Sequence, residues 1–301
     1  MPELNSCKIC GSNNYSFFGY LRSWRLVKCD KCGFYYVNPR PTIEDMASYY
    51  KKDYYHKTET LENKIKELNG DGVQSVWNKG SIPLFEDIST RIKSIKPKGR
   101  ILDIGCGYGF FLNVMKKNGY STIGVEPNSL AADYAKKING LEVFNGTLEE
   151  ASFASYFFDI ITMNGVLEHL FEPEKTLLEC KRILKNGGLC VVSCPNAGFG
   201  LPFVYLYKIF FGDNIPVDKL KLSMFDAPNH LSFFTSRSIK ALFKKVGYEI
   251  LCIVNPVTIK NPNKILDLTK KTVKIIGDML YFVSNKRILM SNSLLLFGKK
   301  I

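Results

Sequence analysis

Ile101-Leu102-Asp103-Ile104-Gly105-Cys106-Gly107-Tyr108-Gly109-Phe110-Phe111-Leu112 decides the fold. An apolar run interrupted by one carboxylate enters three glycines spaced GxGxG and leaves as a helix-like segment. The order reads as strand, sharp turn, helix: glycine reaches positive φ and lets a ligand approach the backbone with no Cβ in the way. In open α/β sheets, that crevice at the carboxyl ends of the strands is the ligand-binding edge. Taken alone, these residues also fit a glycine-rich turn that binds nothing.

Downstream the alternation continues, as expected of a parallel sheet covered on both faces. Strands are expected at Arg100–Ile104, Ser121–Val125, Leu141–Phe144, Phe158–Met163 and Leu189–Ser193, with helices at Phe110–Asn118 and Ser129–Ile138, the latter capped by Asn128. Val125-Glu126-Pro127 places a carboxylate at the end of the second strand, where it can accept from both ribose hydroxyls of an adenosine. The flanking Ile123-Gly124-Val125 reads as buried strand, against a solvated surface glutamate. After Pro195 the rhythm breaks into an aromatic-rich insertion at 197–229. A helix near Ser236–Val246 and a strand near Tyr248–Val254 follow, then a second insertion at 256–290 and a last strand at Ser293–Phe297.

Upstream, 41–98 reads as a helical linker, with Thr42 capping a helix over Asp45, a second helix at Ile82–Lys96 and a break at Pro97-Lys98-Gly99. Residues 1–40 form a separate small module with short β-like runs such as Ser16–Phe18 and Phe34–Val37. Its Cys7-x2-Cys10 and Cys29-x2-Cys32 pairs have the spacing of a four-cysteine zinc ribbon. Four thiolates leave no open coordination position, so the expected zinc is structural. The other five cysteines, Cys106 in the glycine turn among them, read as core filler.

The chain has 301 residues, 46% hydrophobic and 23% charged, which excludes wholesale disorder. A net charge of +13 fits nucleic acid, an anionic membrane, a phosphorylated substrate or simply a lysine-rich chain. The N-terminus shows no basic region followed by an apolar run, and unpaired cysteines suit a reducing compartment; the expected location is cytoplasmic. Two apolar segments, 203–211 and the basic, helix-spaced 264–283, are either a lid over a pocket or a peripheral contact with the inner membrane surface.

Five runs in order, LDIGCGYGFFL (102–112), GVEPN (124–128), FDIITMNGVLEHL (158–170), LKNGGLCVVSCPN (184–196) and HLSFFTSRSIKALFKKVGYEI (230–250), carry a resemblance. Residues 99–254 resemble the class I S-adenosylmethionine-dependent methyltransferases, in the branch that includes ubiquinone-pathway O-methyltransferases and glycan- and antibiotic-pathway enzymes. The cysteine module ahead of Asn38-Pro39-Arg40-Pro41 resembles one found on many polysaccharide-cluster methyltransferases. The resemblance implies a doubly wound Rossmann-like sheet of seven strands in a domain at 99–301, with the last strand antiparallel. It implies S-adenosyl-L-methionine held by Asp103, Gly105, Cys106, Gly107, Gly109, Glu126, Thr147, Leu148 and Asn164. Asp103 would lie near the methionine ammonium, Glu126 at the ribose, Thr147 and Leu148 beside the adenine and Asn164 on the sulfonium side. Many relatives carry Asp where this chain has Thr147, which weakens the adenine contact.

The run Met163-Asn164-Gly165-Val166 lacks the proline-rich signature of base-amine methylases. A hydroxyl or carbon of a small molecule is therefore the expected acceptor, such as a nucleotide- or lipid-linked sugar. Among three histidines, His230, then His169, is the expected base, because imidazole accepts a proton near neutral pH. The bland alternative makes both structural. An RNA methyltransferase docking through the ribbon, a non-catalytic cofactor-binding relative and a nicotinamide dehydrogenase are the competing readings. Scattered lysines, the intact glycine turn with Glu126, and GxGxG in place of GxGxxG count against them in that order.

Overall fold

The computed structural model describes residues 4, 6–42, 44–46, 81–212, 216–220, 222, 224–256 and 291–301. The first three strands are β1 (Tyr15–Leu21), β2 (Trp24–Cys29) and β3 (Tyr35–Val37). After them come α1 (Ile82–Ile95), β4 (Arg100–Ile104), α2 (Phe110–Lys117), β5 (Ser121–Glu126), α3 (Ser129–Lys137), β6 (Glu142–Asn145) and β7 (Phe158–Asn164). The rest of the described chain forms α4 (Pro173–Ile183), β8 (Leu184–Pro195), α5 (Ala197–Phe211), β9 (Ser232–Phe233), α6 (Ser236–Val246), β10 (Tyr248–Val254) and β11 (Ser293–Lys300).

Seven strands pair in the order β10-β11-β8-β7-β4-β5-β6. β4 is parallel to both β5 and β7, so the order reverses at its edge. β11 runs antiparallel between β8 and β10, as the last strand was expected to. Alternation along β4 splits the core. Ile101 joins Ile88 and Ile92 of α1 and Phe111 and Met115 of α2 on one face. Leu102 and Ile104 join Leu177 of α4 and Ile239, Leu242 and Phe243 of α6 on the other.

Local signals explain the boundaries. Asn128 Oδ1 accepts from the Ala131 N–H at the start of α3. Thr235 and Ser238 cap α6 reciprocally, and Gly247 ends it in the left-handed conformation. Thr42 and Asp45 exchange the expected pair of cap hydrogen bonds at 2.8 and 3.0 Å.

The structure extends three expectations. The N-terminal module contains a third strand, β2, over Trp24–Cys29. Its sheet does not close on itself: β3 takes β9 as its outer neighbour, giving β1-β2-β3-β9. The stretch expected as a strand at Leu189–Ser193 extends over all of β8. The insertion at 197–229 begins with α5, and most of the second insertion, including 264–283, lies outside the described residues.

Candidate functional site

The glycine turn sits at the carboxyl end of β4, where the strand order reverses, the position at which doubly wound sheets bind ligands. The N–H groups of Gly105 and Cys106 donate to Val125 O at 2.8 and 3.1 Å, folding the turn against β5. Gly107 has φ +53°, and a Cβ there would meet nothing within 4 Å, so the turn is open on that side. Gly109, at φ +80°, is the N-cap of α2, and a Cβ on it would collide with Leu141. Gly107 thus leaves the turn open on its outer side, and Gly109 is required by packing from within.

Glu126 ends β5 and is 8% exposed. Its Oε2 accepts from the Gly107 N–H at 2.8 Å and its Oε1 from the Asn128 N–H at 2.9 Å, so the carboxylate faces the turn. Burial pushes its pKa up, and the two backbone donors counter the shift. Asp103 is buried in β4 opposite Thr162 of β7. It accepts from Thr162 Oγ1 at 2.5 Å and from Asn164 Nδ2 at 3.3 Å. Burial pushes its pKa up to about 7 against those two bonds. Asn164 Oδ1 is buried without a hydrogen-bond partner among the described residues. A buried acid, an orphaned amide oxygen and an open glycine turn fit a ligand that brings an ammonium and hydroxyl donors.

Leu148 is buried at the carboxyl edge beyond β6. Thr147 is exposed and committed locally: its N–H donates to Glu150 Oε2 at 2.6 Å and its Oγ1 accepts from the Glu150 N–H at 3.3 Å. Cys106 is buried with its Sγ against the Gly124 backbone, the packing role expected for it.

Beyond β7, a 3₁₀ turn over Leu167–His169 carries Glu168 and His169. The Leu231 N–H donates to Glu168 O at 2.9 Å and brings His230 alongside, with the imidazole centroids 5.0 Å apart. His169 Nδ1 lies 2.7 Å from Asn229 O and His230 Nδ1 lies 3.3 Å from Met224 O. A carbonyl oxygen can only accept, so both rings carry their proton on Nδ1 and present a bare Nε2 lone pair. Burial first, and the neighbouring His230 second, hold His169 down to about 4. Burial also lowers His230, against its Met224 bond and Asp226. Both rings are therefore neutral bases near pH 7.

Glu168 entered the sequence reading only inside the run at 158–170, and the structure buries it beside both histidines. It is 3% exposed, its Oε2 has no partner among the described residues, and burial pushes its pKa up to about 7. One ligand atom from each of Glu168, His169 and His230 lies within 4.8 Å of the others, so the group has donors that could take a proton or a cation. Thr162 was also missed. Its signal was a carboxylate inside an apolar strand, which requires a donor from the facing strand.

The four paired cysteines converge as expected. Cys7 and Cys32 Sγ are 3.6 Å apart and Cys10 and Cys29 Sγ 3.5 Å, and all four lie within 4.8 Å of one another. A tetrahedron of sulfurs around zinc has edges of about 3.8 Å, so the cluster fits that ion. The Gly11 N–H donates to Cys7 O and the Gly33 N–H to Cys29 O, the same turn built twice.

Comparison with known proteins follows the fold. A methyltransferase-domain family model matches residues 81–253. The ubiquinone biosynthesis O-methyltransferase of Coxiella burnetii is 30% identical over 151 residues, 46% of this chain and 63% of that protein. The mitochondrial ubiquinone biosynthesis O-methyltransferase of Schizosaccharomyces pombe is 37% identical over 133 residues, 39% of this chain and 48% of that one. The chain thus spans less than two thirds of the length of these curated relatives. Among solved structures, a SAM-dependent methyltransferase from Thermotoga maritima superposes with a TM-score of 0.50 at 21% identity, covering 75% of this chain and 94% of that one. That likeness is one of fold. With a model spanning more than half its length, this chain belongs to the methyltransferase-domain family.

Proposed function

We propose that this protein transfers a methyl group from S-adenosylmethionine to a hydroxyl, or alternatively a carbon, of a small molecule. The observation that carries the reading is the open turn at Gly107 beside the inward-facing Glu126 carboxylate, on the same sheet edge as two neutral imidazoles. When bound, S-adenosylmethionine supplies a methyl group on a sulfonium, which leaves readily in an in-line displacement. Glu126 binds ribose hydroxyls, and Asp103 and Asn164 take the amino-acid portion. His230 Nε2 accepts the proton that a hydroxyl loses, and His169 and Glu168 hold the ring in place and offer the proton a second carrier.

The relatives named O-methyltransferases support an oxygen acceptor. A glycan or other secondary-metabolite precursor, nucleotide- or lipid-linked, is the class we propose for it. The exposed face of α5 favours an acceptor or surface with an apolar portion. Phe203, Leu206, Ile209, Phe210 and Phe211 are each more than half exposed. The helix shares a cluster through Val204 with Met224, whose carbonyl holds His230. Among the described residues, no helix is long and apolar enough to cross a membrane, so we propose peripheral contact on the cytoplasmic side. One zinc, bound by Cys7, Cys10, Cys29 and Cys32, completes the proposal.

The test is release of S-adenosylhomocysteine from the purified protein offered a panel of phenols, sugar nucleotides and polyprenyl-linked sugars. At least one hydroxyl acceptor should be turned over. With it, His230→Ala should keep cofactor affinity while turnover falls by roughly a hundredfold. Near-normal turnover in that variant would leave His230 structural.

A further inference from the structure

Both histidine-bearing loops are gripped by the N-terminal unit. The Val37 N–H donates to Leu231 O at 3.2 Å, and Tyr35 and Tyr36 pair with Phe233 and Ser232. Lys8 Nζ reaches Glu172 at 2.6 Å. The side chain that reaches both loops is Arg40. Its Nη1 donates to Phe171 O at 2.6 Å, two residues beyond His169. Its Nη2 donates to Ser232 Oγ at 3.4 Å, two residues beyond His230.

Arg40 is 3% exposed, and its Nε has no hydrogen-bond partner among the described residues. Among the described residues its guanidinium donates to a carbonyl and a hydroxyl, and no carboxylate is hydrogen-bonded to it, the charge of Glu172 acting on it only from a distance. Burying a cation on such terms is a poor way to gain stability, since the loss of hydration outweighs two neutral acceptors. Burial lowers its pKa to about 10, which leaves it charged at neutral pH. What the arrangement does supply is a rigid planar fork between the two loops.

We propose that Arg40 is a positioning residue that ties the His169 loop to the His230 loop and sets the spacing of the two imidazoles. The cysteine unit, to which Arg40 is joined by β3, is thereby a working part of the catalytic domain. The proposal rests on the methyltransferase reading only for its effect on turnover. The geometry itself is measurable without an acceptor.

The chain contains three histidines, so labelled imidazoles in the full-length, zinc-loaded protein give three nuclear magnetic resonance signals, assigned by substituting each histidine in turn. His169 is faced by His230, Glu168 and Asp226, and His230 by His169 and Asp226. In the parent both rings should titrate below the ordinary midpoint of about 6.5. In Arg40→Met, with the loops untied, we expect both midpoints to rise by about half a unit or more. The ring-to-ring contact should also be lost. Arg40→Lys keeps the cation but reaches one loop, so it should shift as well, which separates geometry from loss of a positive charge.

Zinc content and S-adenosylhomocysteine affinity should change less than twofold across the set. A purely structural role would lower Tm and leave the titrations of the folded protein unmoved. Parent-like titrations in both Arg40 variants, or a shift in Arg40→Met with none in Arg40→Lys, would overturn the proposal. If Arg40→Met does not fold, Arg40→Lys and Ser232→Ala decide: parent-like behaviour in both overturns it. A parent that binds no S-adenosylhomocysteine would instead defeat the methyltransferase reading and leave the histidine result standing.

Discussion

Asp103 shows how one buried residue couples the fold to its ligand. Raised to about 7 by burial, its carboxyl is about half protonated in the ligand-free protein at neutral pH. The folded state holds that proton more tightly than the unfolded chain. The contribution of this group to ligand-free stability is therefore lost as pH rises from the ordinary carboxyl value of 3.8 through about 7. A ligand ammonium beside Asp103 favours the charged form, so binding releases a proton below that midpoint. We expect S-adenosylhomocysteine affinity to increase between pH 6 and pH 8, by up to about tenfold per unit below the midpoint. In Asp103→Asn the slope should vanish. Calorimetric titrations at three pH values check this, and equal slopes in parent and variant would remove the ammonium from Asp103.

Asp103, Glu126 and the three glycines were legible in the sequence because each breaks the pattern of its element: a charge in an apolar strand, or glycine where a strand becomes a helix. Glu168 and Arg40 were not, because nothing local in LEHL or NPRP says that their side chains are buried. Burial of a polar group is set by what packs over it from distant sequence.

β4 to β7, β10 and the helices α1, α2, α3 and α6 were legible to within a residue or two from an apolar period of two or of 3.6, whereas β8 and β11 run further than expected and α4 was not singled out. α5 was not, because a helix apolar on every side has no stripe and reads as an irregular insertion. Its exposed apolar face makes its own prediction. Full-length protein should co-sediment with vesicles containing anionic lipid at low salt, and Ile209→Glu combined with Phe210→Glu should abolish that with little change in Tm, since both side chains are more than 70% exposed. Failure of the parent to co-sediment would leave α5 as a lid.

The cysteine unit is the other element-scale test. Metal analysis should find about one zinc per chain, and Cys29→Ser should release it, because Cys29 sits in β2 and anchors one of the two repeated turns. Zinc-free protein that keeps its fold and cofactor binding would count against the structural metal.

At the scale of the whole molecule, the sequence divides into a cysteine module, a linker and a catalytic domain, while the described structure joins the first to the last through β3 and β9. Two residues, Ser232 and Phe233, make that strand. A period of two cannot be read from two residues, nor can it name a partner almost 200 positions away, so this contact was beyond any local signal. The hydrophobic core confirms the union: Ile9, Phe34 and Tyr36 share one cluster with Ile161, Leu242 and Phe243. Loss of the proposed zinc should therefore be felt on the histidine side of the sheet edge, and the glycine turn, held by β4 and β5, should be spared.

The turn at Gly107 and the Glu126 carboxylate are proposed to bind S-adenosylmethionine, and calorimetric titration of the purified protein with that molecule is the decisive measurement. Binding should be saturable at one per chain. Glu126→Ala should weaken it by about ten- to a hundredfold, the loss of roughly 1.5–3 kcal/mol expected when a charged acceptor of two hydroxyls is removed. No binding by the parent, or equal affinity in parent and variant, would remove the cofactor from this turn and from Glu126.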